Sequence, residues 1–243
     1  MIRTQCPKCA SFGKDRSQDN LANYPDGSKY CFSCGYWEIS IRLPNYNKKV
    51  IEPIKSITLP EDITTDIPIE IQQYLKQFFI TDKDITKYHI YWSPRNQRIC
   101  FPIYIDNMIV GWQGRSLIRK PKWFSQGIDD SIIYLTNNKT NTVILVEDII
   151  SAINVGKLPL SCCCLFGSIV SLKRIQQLHK MGYDKFILWL DKDKEIESIK
   201  RTVELRNLGL ICYSLTTDKD PKYYTQDEIK NLLTNYKYCA TLT

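Results

Sequence analysis

From residue 141 onward, short apolar runs alternate with helix-forming stretches, and this pattern narrows the possible folds more than any other feature. Residues 143–146, Val-Ile-Leu-Val, are wholly aliphatic, as expected of a strand buried on both faces. A helix follows and ends near Gly156, residues 161–166 give a second strand, and residues 171–181 a second helix closed by Gly182. Residues 186–190 are a third apolar run, followed by a helix stopping at Gly209, a strand over 210–215 and a last helix over 226–234. Strands alternating with helices predict the α/β class, with a mostly parallel sheet covered by helices on both sides. In such sheets the chemistry gathers beyond the carboxyl ends of the strands.

Three acids stand there. Glu147 directly follows the first apolar run, and Asp191 and Asp193 directly follow the third. Side chains alternate along an extended segment, so Asp191 and Asp193 should point the same way with Lys192 turned aside. If the two strands are neighbours, three carboxylates converge at one sheet edge. Hard oxygen ligands with open positions suit Mg²⁺ or Mn²⁺, and such a site serves phosphoryl transfer by one or two metal ions. Acids after strands also cap the following helix or face solvent, and that is the reading for Asp148 and Glu195.

The N-terminus carries a different signal. Cys6-Pro7-Lys8-Cys9 and Cys31-Phe32-Ser33-Cys34 are two C-x-x-C knuckles separated by 21 residues. Each presents two thiolates from a tight turn, and together they complete a tetrahedral site for one structural Zn²⁺. The stretch between them has hairpin character with Asp26-Gly27 as its turn, so residues 1–43 are read as a zinc ribbon. Lys8, Lys14, Arg16 and Lys29 accompany Tyr24, Tyr30, Tyr36 and Trp37, a mixture suited to phosphates and unpaired bases. The other six cysteines, Cys100, Cys162, Cys163, Cys164, Cys212 and Cys239, are read as core packing.

Between these parts, residues 44–60 lack either period and contain Pro44, Pro53 and Pro60, which marks a linker. Residues 61–140 form a basic subdomain of mixed α+β character. It has a helix carrying Ile71, Leu75 and Phe78, another capped by Thr81 with Asp84 in its first turn, and a hairpin turning at Asp106-Asn107. The net charge of +7 from 33 basic and 26 acidic residues is unevenly spread: 8 against 4 over residues 1–50, but 2 against 5 over 51–80. With only His89 and His179, histidine triads are excluded, and carboxylates, basic groups and bound metal must carry any chemistry. There is no apolar run of membrane-spanning length and no apolar signal segment, so the expectation is a cytoplasmic protein with no membrane partner.

Glu147 after one apolar strand and Asp191-Lys192-Asp193 after another resemble the TOPRIM fold of DnaG-type primases, topoisomerases and related nucleases. Gly111-Trp112-Gln113-Gly114-Arg115-Ser116-Leu117 with Lys120-Pro121-Lys122-Trp123-Phe124 resembles the segment preceding TOPRIM in bacterial and phage primases. Leu165-Phe166-Gly167-Ser168 is similar to their glycine turn, and Thr217-Asp218-Lys219-Asp220-Pro221 to their loop after the fourth strand. The order of ribbon, basic region and TOPRIM over residues 141–243 is the primase order. Family members carry a glycine after the first Glu and an Asp four residues after it; Asp148 and Ser151 stand here.

The resemblance implies a DNA primase, a DNA-directed RNA polymerase that makes short RNA primers on single-stranded DNA from ribonucleoside triphosphates. Glu147, Asp191 and Asp193 would hold Mg²⁺ or Mn²⁺, and Arg115 and Lys122 would act on nucleotide or template phosphates. Arg98, Lys219 and Asp220 would bind the nucleotide or its metal. No G-x-x-x-x-G-K-[ST] motor loop occurs, so a stand-alone, phage-type primase with a separate replicative helicase is expected. The alternatives are a non-polymerising TOPRIM nuclease and an inactive DNA-binding recombination or replication accessory protein. Retention of all three carboxylates argues against the inactive protein.

Overall fold

Two units divide the chain: a smaller one of Met1–Ile54 with Asn207–Gly209, and a larger one of Lys55–Arg206 with Leu210–Thr243. This computed structural model describes residues 2–24, 29–38, 56–130, 132–136 and 140–235. In the smaller unit, β1 (Ile2–Thr4), α1 (Pro7–Ser11), β2 (Leu21–Asn23), β3 (Lys29–Cys31) and β4 (Trp37–Glu38) follow in order, and the strands form one antiparallel sheet. Proline at N1 suits the helix start because the missing N–H would have no partner there. The Asp26-Gly27 turn, Cys239 and most of residues 44–60 lie outside the described residues.

The larger unit opens with α2 (Ile69–Lys76) and α3 (Asp82–Lys87). Thr81 starts α3 through a capping box: its hydroxyl accepts from Asp84 N, and its own N–H donates to the Asp84 carboxylate. An antiparallel sheet follows, from β5 (Tyr91–Ser93), β6 (Arg98–Ile105), β7 (Met108–Arg115) and β8 (Trp123–Gln126). Asp106 and Asn107 both adopt positive φ, as the two-residue turn between right-twisted strands requires.

The C-terminal half comprises β9 (Tyr134–Leu135), β10 (Thr142–Val146), α4 (Ile149–Val155), β11 (Ser161–Cys164), α5 (Leu172–Lys180), β12 (Lys185–Leu188), α6 (Glu195–Asn207), β13 (Ile211–Ser214) and α7 (Gln226–Asn235). Its sheet has the order β13-β12-β10-β11-β9, parallel except for β9 at the edge. The strand period of two sorts the side chains. Ile144, Val146, Cys162, Cys164 and Ile187 enter one core with α4 and α7, while Val143, Leu145, Cys163, Phe186 and Leu188 enter another with α5 and Leu205 of α6. The cysteine triplet is thus split between two cores and converges on nothing. Each fully buried aliphatic side chain contributes about 1.5–3 kcal/mol.

The topology fixes where a site can open. From β10 the chain crosses by α4 to β11 on one side; from β12 it crosses by α6 to β13 on the other. Adjacent strands whose connections leave in opposite directions diverge at their carboxyl ends and leave a crevice there. Among the described residues, no helix is long and apolar enough to cross a membrane.

Candidate active site

Glu147 directly follows β10, and Asp191 lies three residues beyond the end of β12, so the crevice receives both acids. They are tied together, since Asp191 N donates to Glu147 Oε1 at 3.0 Å. Asp148, the N-cap of α4, accepts from Ser151 N at 2.8 Å and adds a third carboxylate. Asp220 closes the group, accepting from Lys192 N at 3.0 Å. Into it projects Lys222, whose ammonium lies 3.0 Å from each of Asp148 Oδ2, Asp191 Oδ2 and Asp220 Oδ2.

Crowding shows in the titration of these groups. Burial, followed by the charge of Asp191, pushes Glu147 up to about 7. Burial likewise raises Asp191, to about 6, against the attraction of Lys222. For Lys222 burial alone would favour loss of the proton, but Asp148 and Asp191 outweigh it and hold the ammonium firmly charged. Asp191 Oδ1 is buried with no hydrogen-bond partner.

The opposite wall comes from β7, β8 and α2. A cavity of about 550 Å³ is lined by Glu147, Asp148, Asp191 and Lys222 on one side and by Tyr74, Gln113, Arg115, Lys122, Trp123 and Ser125 on the other. Arg115 is aimed by two contacts: its Nε donates to the Tyr74 hydroxyl at 3.1 Å, and its guanidinium lies 5.1 Å from the Trp123 ring centroid. A fixed, always-charged fork facing a carboxylate cluster is an arrangement for seating an anion beside a cation.

No family model matches this sequence, and no curated protein matches it. Solved structures do match its fold. The zinc-binding and RNA polymerase domains of the Aquifex aeolicus primase align with a TM-score of 0.57 and 16% identity, over 96% of this chain and 78% of that one. A DnaG primase catalytic domain bound to single-stranded DNA aligns with a TM-score of 0.54 and 15% identity, over 69% of this chain and 70% of that one. The fold is that of the DnaG-type primases. At these identities the likeness is one of fold.

Within this primase fold Asp193 follows Asp191 in a turn, not along an extended strand as alternation suggested. The strand stops at Leu188, and Asp193 lies in a 3₁₀ turn, Lys192–Lys194, with its side chain 75% exposed and 3.5 Å from Lys194 Nζ. Arg98 stands outside the cavity lining: it is 7% exposed, and its guanidinium donates to the carbonyls of Gly114, Pro121 and Lys122. It holds the segment between β7 and β8 rather than facing a phosphate. Lys219 reaches Glu228 at 3.0 Å and lies over the Tyr224 ring, so the lysine that meets the acids from this loop is Lys222. Lys222 sits one residue past the run Thr217–Pro221 marked in the sequence, and the single 3₁₀ turn that carries it, Pro221–Tyr223, is too short to show a period from which to read its direction.

In the smaller unit, Cys6, Cys9, Cys31 and Cys34 place their sulfurs within 4.8 Å of one another, with Cys6–Cys34 and Cys9–Cys31 at 3.6 Å. A tetrahedron of Zn–S bonds has edges of about 3.8 Å, so this cluster suits structural zinc. Asp15 braces the first knuckle, accepting from Cys6 N at 2.6 Å. For Cys31 burial acts upward, but the backbone N–H groups of Cys34 and Ser33 outweigh it and bring the thiol down to about 7.

Proposed function

We propose that this chain is a DNA primase, copying single-stranded DNA into short RNA primers for replication. The observation that carries the reading is one cavity, at the crevice of a DnaG-type primase fold, with carboxylates on one wall and Arg115 and Lys122 on the other. The parallel sheet is read as a TOPRIM domain over residues 141–243, preceded by a zinc ribbon (1–43), a linker (44–60) and a basic subdomain (61–140).

A divalent cation fits the donor set, because Asp191 Oδ1 is buried without a partner beside Glu147, and both are hard oxygen ligands. Glu147, Asp191 and Asp193 would hold Mg²⁺ or Mn²⁺, which when bound supplies positive charge for the attacking hydroxyl and the departing pyrophosphate. Arg115 and Lys122 bind the triphosphate of the incoming ribonucleotide, with Tyr74 and Trp123 keeping Arg115 in place. The ribbon grips template through the exposed Arg3, Lys8, Lys14 and Arg16 and the exposed rings of Tyr30 and Phe32. Unwinding is assigned to a separate replicative helicase.

The test supplies single-stranded templates of varied sequence, ribonucleoside triphosphates and Mg²⁺ or Mn²⁺, and looks for short labelled RNA. Strand cleavage without RNA product would favour a nuclease and sink the proposal. Asp191→Ala and Glu147→Gln should each lower synthesis by at least about 100-fold while the protein stays folded. Undiminished synthesis by both would remove the site assignment.

A further inference from the structure

Lys222 is delivered to the acids by its surroundings. Its backbone carbonyl accepts from Asn154 Nδ2 at 3.4 Å, and the same amide donates to Tyr224 O at 2.8 Å. Pro221 and Tyr224 on either side are buried, and the lysine side chain is 15% exposed. An ammonium has three N–H donors, and here three carboxylates from three separate segments each lie at 3.0 Å. That leaves Asp191 divided: Oδ2 meets the lysine, while Oδ1 is buried and unpartnered.

We propose that Lys222 is a resident cation of the acidic centre, holding the place of a divalent ion among Asp148, Asp191 and Asp220, so that the centre takes one divalent ion rather than two. The proposal rests on the metal reading above, which puts that one ion at Glu147, Asp191 and Asp193. The physical reason is competition for the same oxygens. Divalent cations bind oxygen at about 2.0–2.6 Å, close to the 3.0 Å of an ammonium, and two cations cannot share one such cage. Lysine is fixed there by the chain and does not exchange. Without it, three carboxylates surround one point, and a small inward movement makes them a second divalent site.

The test counts Mn²⁺ bound to the full, zinc-loaded chain, from the loss of the free-ion electron paramagnetic resonance signal during titration. The wild type should bind one Mn²⁺, Lys222→Met two, and Lys222→Arg one, because arginine keeps a fixed positive charge. Thermal unfolding and zinc content verify that each variant is folded. Two ions in the wild type, or one in both the wild type and folded Lys222→Met, would overturn the proposal and leave the metal reading intact. If Lys222→Met does not fold, the wild-type count decides alone: one supports the proposal and two overturns it. No ion in the wild type but one in Lys222→Met would keep the resident cation and remove the site at Glu147, Asp191 and Asp193. No ion in either would remove both.

Discussion

Burial first, and the charges of Asp191 and Asp193 after it, set Glu147 apart from an ordinary carboxylate by lifting it from 4.5 to about 7. The folded pKa therefore lies above the unfolded one, and the sign of its effect follows. Above pH 7 both states are ionised, and the folded state bears an unfavourable charge. Between pH 7 and 4.5 the folded state takes up a proton that the unfolded state does not, so stability rises as pH falls through that window. Below 4.5 both states are protonated and nothing further changes. Glu147→Gln removes the charge at constant shape. Without added divalent ions, it should be more stable than wild type at pH 8 by about 1 kcal/mol, a fraction of the full shift because the group is only half-buried. That margin should shrink towards pH 5. Parallel thermal melts of the two proteins across this range check it; a margin independent of pH would contradict the charge argument. Glu147 and Asp191 are legible in the sequence because apolar runs lead into them. Lys222 is not, because its direction depends on Asn154 and Tyr224 packing 68 and 2 residues away.

Elements whose signals are local are read well from sequence. The capping box at Thr81, the Asp106-Asn107 hairpin and the four apolar strands all depend on neighbours within a few residues. Strand ends depend on more distant contacts: β12 stops at Leu188, while the buried Trp189 and Leu190 lead out towards the 3₁₀ turn that carries Asp193. The glycine-rich segment of β7 shows the same limit. Its glycines mark close approach, but only the structure says of what. A Cβ on Gly114 would come within 2.6 Å of the Trp112 ring (Cζ3) and 3.0 Å of Arg98 Cδ. Arg98 is the residue that holds the Gly114, Pro121 and Lys122 carbonyls, so displacing it loosens the segment leading to Lys122 and Trp123. Gly114→Ala should therefore destabilise the larger unit by about 1–3 kcal/mol, lower its Tm by several degrees, and weaken nucleotide binding at the same time. A variant with unchanged Tm would mean that the ring and guanidinium shift without strain.

At the scale of the whole chain, the two units are stabilised by different means. The larger unit has a sheet with an apolar core on each face. The smaller has a core of Cys6, Cys9, Leu21 and Cys31, with Cys34 and Tyr36 packed against it, which is too little apolar surface to offset the ordering of some forty residues. A metal held by the four thiolates, which their cluster suits, would supply the difference. Burial pushes the Cys9 thiol up to about 12, whereas at Cys31 burial is outweighed by the backbone N–H groups of Cys34 and Ser33, which bring it down to about 7. Cys31 is thus readily available as a thiolate ligand at neutral pH. Cys31→Ser should bring zinc from about one per chain to well below that by elemental analysis. Resonances of residues 2–38 should collapse towards random-coil positions, while those of β10–β13 stay in place and Mn²⁺ still binds the acidic centre. RNA synthesis should fall, because template grip is assigned to the ribbon, and raising the template concentration should recover part of it. Full zinc content in this variant would refute the ligand set. Collapse of both units together would show that the larger one leans on the metal as well.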